Sequence, residues 1–469
     1  MLKNYFEIKI KEYLDFEPTS DQNYLIKILI NFIFENDNNS IFLLKGYAGT
    51  GKTYIISAVI KALNEFNIRT ILLAPTGRAA KVLSSFAQVP AYTIHKKIYR
   101  QKSTKDIFGK FVLDRNLYTN TIFIVDEASM LSNISNEQKI FGSGNLLDDL
   151  ISYVYSKKGC KLILIGDDAQ LPPVGMDNSP ALQTDTFTKY NLNVYEYTMT
   201  EIVRQKSFSK IHENATLVRE MINNKILNIP VFKTDENFQN INGKEVIDHI
   251  ENAYSKYGLR ETLIINRSNK RSNIYNKEIR NSILGREEIL EPGDILMVVR
   301  NNYYWTDNHY YTLPFLANGD MVEVLKIKKW YEMYNYQFAD VILYLIDYDE
   351  EIEARILLNT LNSDSPSLTE EENKELFYNI FKDFENVKPR KKAYELVKTN
   401  IFYNALQVKY AYSLTCHKAQ GGQWKCIFID PGIYINENLK LDITTLRWLY
   451  TAITRSVEKV YLINYPFIN

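Results

Sequence analysis

Residues 41–53 read Ile-Phe-Leu-Leu-Lys-Gly-Tyr-Ala-Gly-Thr-Gly-Lys-Thr. The run Ile41–Lys45 has the length and apolar content of a strand. It leads into Gly46-Tyr47-Ala48-Gly49-Thr50-Gly51-Lys52-Thr53, which fits G-x-x-x-x-G-K-[ST]. A helical run, Tyr54–Phe66, follows, so both flanks that give the motif meaning are present. Gly46, Gly49 and Gly51 let backbone N–H groups turn inward around a phosphate, and the helix behind them presents the positive end of its dipole. Lys52 is spaced to reach the β- and γ-phosphates, and the Thr53 hydroxyl to ligate Mg²⁺. A nucleoside triphosphate site is expected here.

Outward from this loop, Thr70–Ala74, Thr121–Val125 and Lys161–Ile165 are further apolar runs of strand length, with the helix-like Gly77–Phe86 among them. Such alternation predicts an α/β fold with a parallel sheet covered on both faces. The polar stretch Lys97–Tyr118, with Tyr99, Phe108 and Phe111, breaks the pattern and reads as a small hairpin insertion. A second α/β signal starts at Thr262–Asn266 and resumes at Lys425–Asp430 and Lys459–Ile463. Between these, Gly319–Ile327 and Phe338–Tyr348 show period-two patterning, which predicts a small antiparallel barrel. Residues 363–390 are charged and helix-prone, ending in a basic cluster of Lys388, Arg390, Lys391 and Lys392.

The composition excludes several classes. A chain of 469 residues that is 45% hydrophobic and 24% charged is globular, with roughly three domains' worth of length. The 56 basic residues cancel the 56 acidic ones, so no basic coat clings to polyanions at large, though a local channel remains open. Cys160, Cys416 and Cys426 are too few for a disulfide framework or a four-ligand zinc site. No apolar run nears the ~18 residues of a membrane span, and the first ten residues lack a signal-peptide core. A soluble cytoplasmic protein without a membrane partner is expected.

At Val125-Asp126-Glu127-Ala128-Ser129-Met130 an apolar strand ends in two carboxylates. Asp126 is placed to hold Mg²⁺ and Glu127 to deprotonate an attacking water. Further stretches are individually bland. Ala74-Pro75-Thr76-Gly77-Arg78 and Thr93-Ile94-His95-Lys96 each read alone as a helix cap with a surface turn, yet such groups at strand ends also suit phosphate contacts along nucleic acid. Gly166-Asp167-Asp168-Ala169-Gln170-Leu171-Pro172-Pro173-Val174-Gly175 sets Gln170 where a γ-phosphate can be sensed. Met199–Gln205 and Leu449–Arg455 carry Arg204 and Arg455, either ordinary salt-bridge partners or arginines that complete a site between domains.

In order and spacing these stretches, together with Thr415-Cys-His-Lys-Ala-Gln-Gly421, resemble the motifs of superfamily-one DNA helicases in the 5′→3′ branch of RecD and the phage Dda helicase. The resemblance implies two RecA-like domains, the first at 1–195 with its insertion at about 97–118. The second would comprise 196–292 and 400–469, with an SH3-like barrel and a helical, charged extension inserted at 293–399. It implies ATP and Mg²⁺ as cofactors, with Gln22 recognising adenine and Lys52, Glu127, Gln170, Arg204 and Arg455 carrying hydrolysis and its coupling to movement. Thr76, Thr93, His95, Asn266, Thr415 and His417 would touch the DNA strand, and Phe108 or Phe111 would part the duplex. Gly421 and Gln423 fall where the family contacts the nucleotide; Gln423 replaces the usual Glu, a neutral partner for the ribose. The implied function is an ATP-dependent helicase translocating 5′→3′. Its partners would be single-stranded DNA and single–double-strand junctions, with little sequence preference, and replication or repair proteins. A monomer is expected. A protein-displacing translocase and an RNA motor remain alternatives.

Overall fold

The computed structural model describes residues 2–37, 39–101, 111–134, 141–201, 209–306, 315–432 and 440–466. Its strands in chain order are β1 (Ser40–Gly46), β2 (Thr70–Ala74), β3 (Ala91–Thr93), β4 (Tyr99–Gln101), β5 (Phe111–Leu113), β6 (Ile122–Val125), β7 (Lys161–Gly166) and β8 (Asn193–Met199). They continue with β9 (Phe238–Ile241), β10 (Thr262–Asn266), β11 (Ile295–Val298), β12 (Met321–Met333), β13 (Tyr336–Leu345), β14 (Glu350–Leu357), β15 (Leu406–Tyr410), β16 (Ser413–Thr415), β17 (Trp424–Ile429) and β18 (Ser456–Ile463).

The first sheet has the order β3-β2-β6-β7-β1-β8 and is parallel throughout. Strand β1 shows why it is covered on both sides. Phe42 and Leu44 enter one core with Leu25, Leu29 and Val59, while Ile41 and Leu43 enter the opposite core with Leu147 and Leu150. Period-two alternation of apolar residues has sent each set to its own helical layer. Strands β4 and β5 pair antiparallel as the expected hairpin. Two N-terminal helices, Leu2–Glu12 and Ser20–Phe34, complete one layer; Thr19 and Gln22 start the second of them as a capping box.

The second sheet is also parallel, in the order β16-β10-β17-β18-β9. A closed barrel, β11-β12-β13-β14-β15, is antiparallel except where β14 meets β15. One apolar cluster runs from Ile264 and Phe428 of the sheet to Val322 and Val341 of the barrel, so the two share a core. The helices Glu370–Phe381 and Arg390–Lys398 lie against the barrel through Leu376, Ile380 and Val397, which meet Phe338 and Leu357. The α/β fold class, with two RecA-like sheets, a hairpin and an SH3-like barrel with a helical extension, is the one expected.

Two expected boundaries need correction. A division at 195 cuts β8, which pairs with β1 along its whole length and belongs to the first unit. A division at 399 leaves β15 outside the barrel that it closes. No helix among the described residues is long and apolar enough to cross a membrane.

Candidate nucleotide and strand site

Strand β1 ends at Gly46 and the helix Lys52–Glu65 starts from Gly51. Gly49 and Gly51 hold φ values of +80° and +82°, which other residues adopt only with strain. A Cβ at Gly46 would stand 2.9 Å from Lys52 Cδ, so the missing side chain gives the lysine stem its path. Lys52 Nζ donates to the carbonyls of Gly46 (2.7 Å) and Tyr47 (2.8 Å). Burial lowers the pKa of this ammonium, opposed by the carboxylates of Asp167, Asp126 and Glu127. Gln22 is fully buried behind the loop: its Oε1 accepts the Thr19 N–H and its Nε2 donates to the Thr50 carbonyl at 3.0 Å. The residue expected to read adenine therefore also braces the loop and caps its own helix.

Asp126 and Glu127 follow β6. Burial, with the neighbouring Glu127 charge, raises the Asp126 carboxyl to about 6, against which the Glu127 N–H donates to Asp126 Oδ1 at 2.8 Å. Glu127 has φ +52°, a left-handed conformation that costs a non-glycine residue energy and aims its side chain sharply. Opposite it lies Arg455, just beyond the helix Ile443–Ile453 of the second unit. Arg455 Nη1 stands 3.5 Å from Glu127 Oε1, and the guanidinium is otherwise held by the Gly422 carbonyl (3.3 Å), the Thr451 carbonyl (3.2 Å) and the Thr454 hydroxyl (3.4 Å). The nucleotide loop, the acid pair and the arginine thus converge between the two sheets.

The same cleft holds Gln170, whose buried Oε1 has no partner among the described residues, as is true of the Ser129 hydroxyl. A buried polar atom left open is costly unless something polar occupies the space before it. A triphosphate with Mg²⁺ fits this donor set. The opened loop and Lys52 meet phosphate oxygens, Thr53 and Asp126 are the oxygen ligands Mg²⁺ prefers, and Gln170 supplies an acceptor for water. Arg204 and Phe108 lie outside the described residues.

The strand candidates divide. Thr76 and Thr93 both sit at helix N-termini, their hydroxyls accepting from Ala79 and Lys96 N–H groups at 3.2 Å. Thr415 also precedes a helix, the short Cys416–Ala419, and His417 on it is exposed. His95 packs edge-on to Phe141 with ring centroids 4.9 Å apart and lies beside Tyr99; burial holds its imidazole near a pKa of about 4. Asn266 corrects its expectation. It is fully buried, donating to Ser272 and Ser413 hydroxyls and accepting the Ser268 N–H, so its amide is consumed by the fold. Phe111 likewise is sealed against Tyr303 and Phe141, with centroids at 4.5 and 5.0 Å, rather than presented as a wedge. Gly421, at φ +73°, lies where a Cβ would come 3.0 Å from Thr76 Oγ1 and 3.3 Å from Ala79 Cβ, pressing the two units together. Gln423 is exposed; its carbonyl accepts from Arg78 Nη2 at 2.5 Å, and Arg78 lies 3.9 Å above the Trp424 ring.

Sequence reasoning passed over Arg78, Trp424, Arg219 and Tyr450, all at the boundary between the units. Arg78 and Tyr450 lie within stretches already singled out, but neither side chain was given a role, and Trp424 and Arg219 belong to no motif.

Residues 33–229 match an AAA domain and residues 410–463 a UvrD-like helicase C-terminal domain, so the two matches contain the two sides of the cleft. The chain is 25% identical to uncharacterised protein R530 of Acanthamoeba polyphaga mimivirus, over 92% of this chain and 97% of that protein. It is 26% identical to the RecBCD enzyme subunit RecD of Buchnera aphidicola, over 90% of this chain and 70% of that one. It is 26% identical to the ATP-dependent DNA helicase dda of Enterobacteria phage T4, over 66% and 67% of the two chains.

Proposed function

We propose that the chain is a RecD-like helicase of superfamily one, an ATP-dependent DNA helicase that moves 5′→3′ along single-stranded DNA and separates duplex strands. The observation that carries this reading is the approach of Arg455 to Glu127 across the cleft. A nucleotide kinase needs a phosphate-acceptor pocket; a motor needs hydrolysis to depend on how two units sit relative to each other.

In the proposed cycle, Lys52 and the loop amides grip the phosphates and Thr53 with Asp126 holds the metal. Bound Mg²⁺ supplies charge neutralisation at the phosphates. Glu127 takes the proton of the attacking water, oriented by Gln170. Arg455 stabilises charge on the γ-phosphate from the opposite unit, and Arg204 is assigned the same task. Because these contacts exist only when the units are closed, the nucleotide shifts the population between closed and open forms. Thr76, Thr93, Thr415 and His417 are proposed to hold the strand through its phosphates, which gives salt-dependent affinity with little sequence preference. A chain of zero net charge can do this with a few local donors.

ATP-dependent strand separation on 5′-tailed, 3′-tailed and blunt DNA duplexes tests the proposal. Unwinding from the 5′ tail alone is expected. Unwinding only from a 3′ tail would reverse the polarity, and DNA-stimulated ATP hydrolysis without unwinding would reduce the activity to translocation.

A further inference from the structure

One buried cluster joins the phosphate loop to the second unit through residues not assigned above. Arg219, in the helix Lys210–Asn223, is 2% exposed. Its Nη1 is ion-paired with Asp167, and its Nη2 donates to Asp168 Oδ1 at 2.6 Å. Its guanidinium carbon lies 3.7 Å from the centroid of the Tyr47 ring, the second residue of the phosphate loop. Asn223, one helical turn further, donates to the Tyr47 hydroxyl at 3.0 Å. The other oxygen of Asp167 accepts from the Tyr450 hydroxyl at 2.5 Å, and that hydroxyl in turn accepts the Ala48 N–H at 3.0 Å. Two contacts on consecutive loop residues therefore lead through one carboxylate into two helices of the opposite unit.

Stability alone is a poor reason for such a cluster. Burying a guanidinium and a carboxylate costs several kcal/mol of hydration per ion, and apolar residues of similar volume often replace buried ion pairs without loss. Nor is the arginine saturated: its buried Nε has no partner among the described residues. Location supplies a better reason. Tyr450 stands on the helix that leads directly into Arg455, five residues later. The next residue, Thr451, accepts the Leu171 N–H at 2.9 Å, and Gln420 donates to the Leu171 carbonyl at 2.7 Å. The segment that follows β7 is thus pinned to the same helix at a second point. Tyr47 and Ala48 are connected, through Arg219, Asp167 and the Tyr450 hydroxyl, to the helix that precedes Arg455.

We propose that Arg219, Asp167 and Tyr450 form a positioning relay, through which the conformation of the phosphate loop sets the reach of Arg455 toward Glu127. The relay rests on the helicase reading of the site and deepens it. Its members are positioning residues: they act through Arg455.

The test uses the full chain with Arg219→Lys, Tyr450→Phe and the double variant. Three quantities are read: binding of a fluorescent ADP, ATP turnover with and without oligo-dT, and thermal unfolding. Lysine keeps a cation beside Asp167 but loses the flat stack on Tyr47 and the two-pronged pairing. Phenylalanine removes only the hydroxyl. Both single variants are expected to bind ADP and to show KM for ATP within about threefold of the parent, while DNA-stimulated kcat falls about tenfold or more. The double variant is expected to fall no further than the worse single one, as residues of one unit do. Full kcat in Arg219→Lys overturns the relay, because it shows that charge neutralisation was all the cluster needed. Losses that multiply in the double variant, or that track a lowered unfolding temperature and weaker ADP binding, also overturn it. A parent protein whose turnover ignores DNA counts against the helicase reading; the same comparison on basal kcat then decides the relay by itself.

Discussion

Arg455 Nη1 lies 3.5 Å from Glu127 Oε1, so a cation of the second unit faces the carboxylate that ends the central strands of the first. The pair is nearly dry on the arginine side, with the Arg455 side chain 4% exposed. On the proposed reading, a γ-phosphate entering between them would give the arginine a second anion to serve and make turnover conditional on closure.

Arg455→Ala should therefore lower kcat for ATP by about a thousandfold or more, within the span typical of arginine fingers, while ADP binding stays near the parent value. Steady-state phosphate release with a fluorescent-ADP titration checks this. Near-normal hydrolysis would remove the interdomain role.

Glu127→Gln keeps size and hydrogen bonding but cannot accept a proton. Turnover should fall by about 10²–10⁴-fold with nucleotide and Mg²⁺ binding retained. Lys52→Ala should abolish turnover and weaken nucleotide binding as well, since it withdraws the only loop side chain carrying a positive charge. The contrast in binding between the two variants is the measurement, and equal loss of binding would sink the division of labour between them.

Gly421→Ala places a methyl group 3.0 Å from Thr76 Oγ1 and forces alanine to φ +73°. The backbone conformation alone should cost about 1–2 kcal/mol. Because the clash lies between units, DNA stimulation of turnover should fall as well. Urea unfolding together with the ratio of stimulated to basal turnover reads both effects; unchanged values in each would show that the approach is looser than the geometry states.

Asp320 gives a pH signature. It is buried at the turn before β12, where it accepts the Ala317 N–H at 2.7 Å and the Tyr348 hydroxyl at 3.2 Å, and burial raises its carboxyl to about 7. An unfolded Asp titrates near 3.9. Between about pH 4 and 7 the unfolded chain gives up this proton while the folded chain keeps it. The residue's contribution to stability thus falls as pH rises through that window, by up to about 1.4 kcal/mol per unit, and is flat above it. Asp320→Asn removes the dependence. Its melting temperature relative to the parent should climb from pH 4 to 7 and then level; a constant difference would contradict a raised carboxyl.

Much of this was legible from residues. The buried strands β1, β2, β6 and β7 stand out because both faces are covered and nearly every position is apolar. The phosphate loop is legible because its glycines and its lysine have few structural substitutes. Strand β8 was split because it is an edge: Asn193-Val-Tyr-Glu-Tyr-Thr-Met is half-exposed and reads as a polar connection. Strand β15 was missed at the barrel boundary because Leu406-Gln-Val-Lys-Tyr buries its glutamine and lysine, which pattern reading assigns to the surface. Arg219 was invisible for a different reason. A single arginine in a helix carries no signature when its partner, Asp167, is 52 positions away in the chain.

The barrel's place in the chain has its own consequence. Strands β10 and β16 are parallel neighbours, Ile264 beside Ser413, so residues 267–412 occupy the position of an ordinary crossover between two adjacent strands. Topologically the barrel and its helices are an oversized loop, which leaves the sheet's winding intact. Growth or trimming of that loop can take place without altering the pairing of β10 with β16 and β17, so this architecture lets the barrel vary in size while the parallel sheet beside it keeps its register.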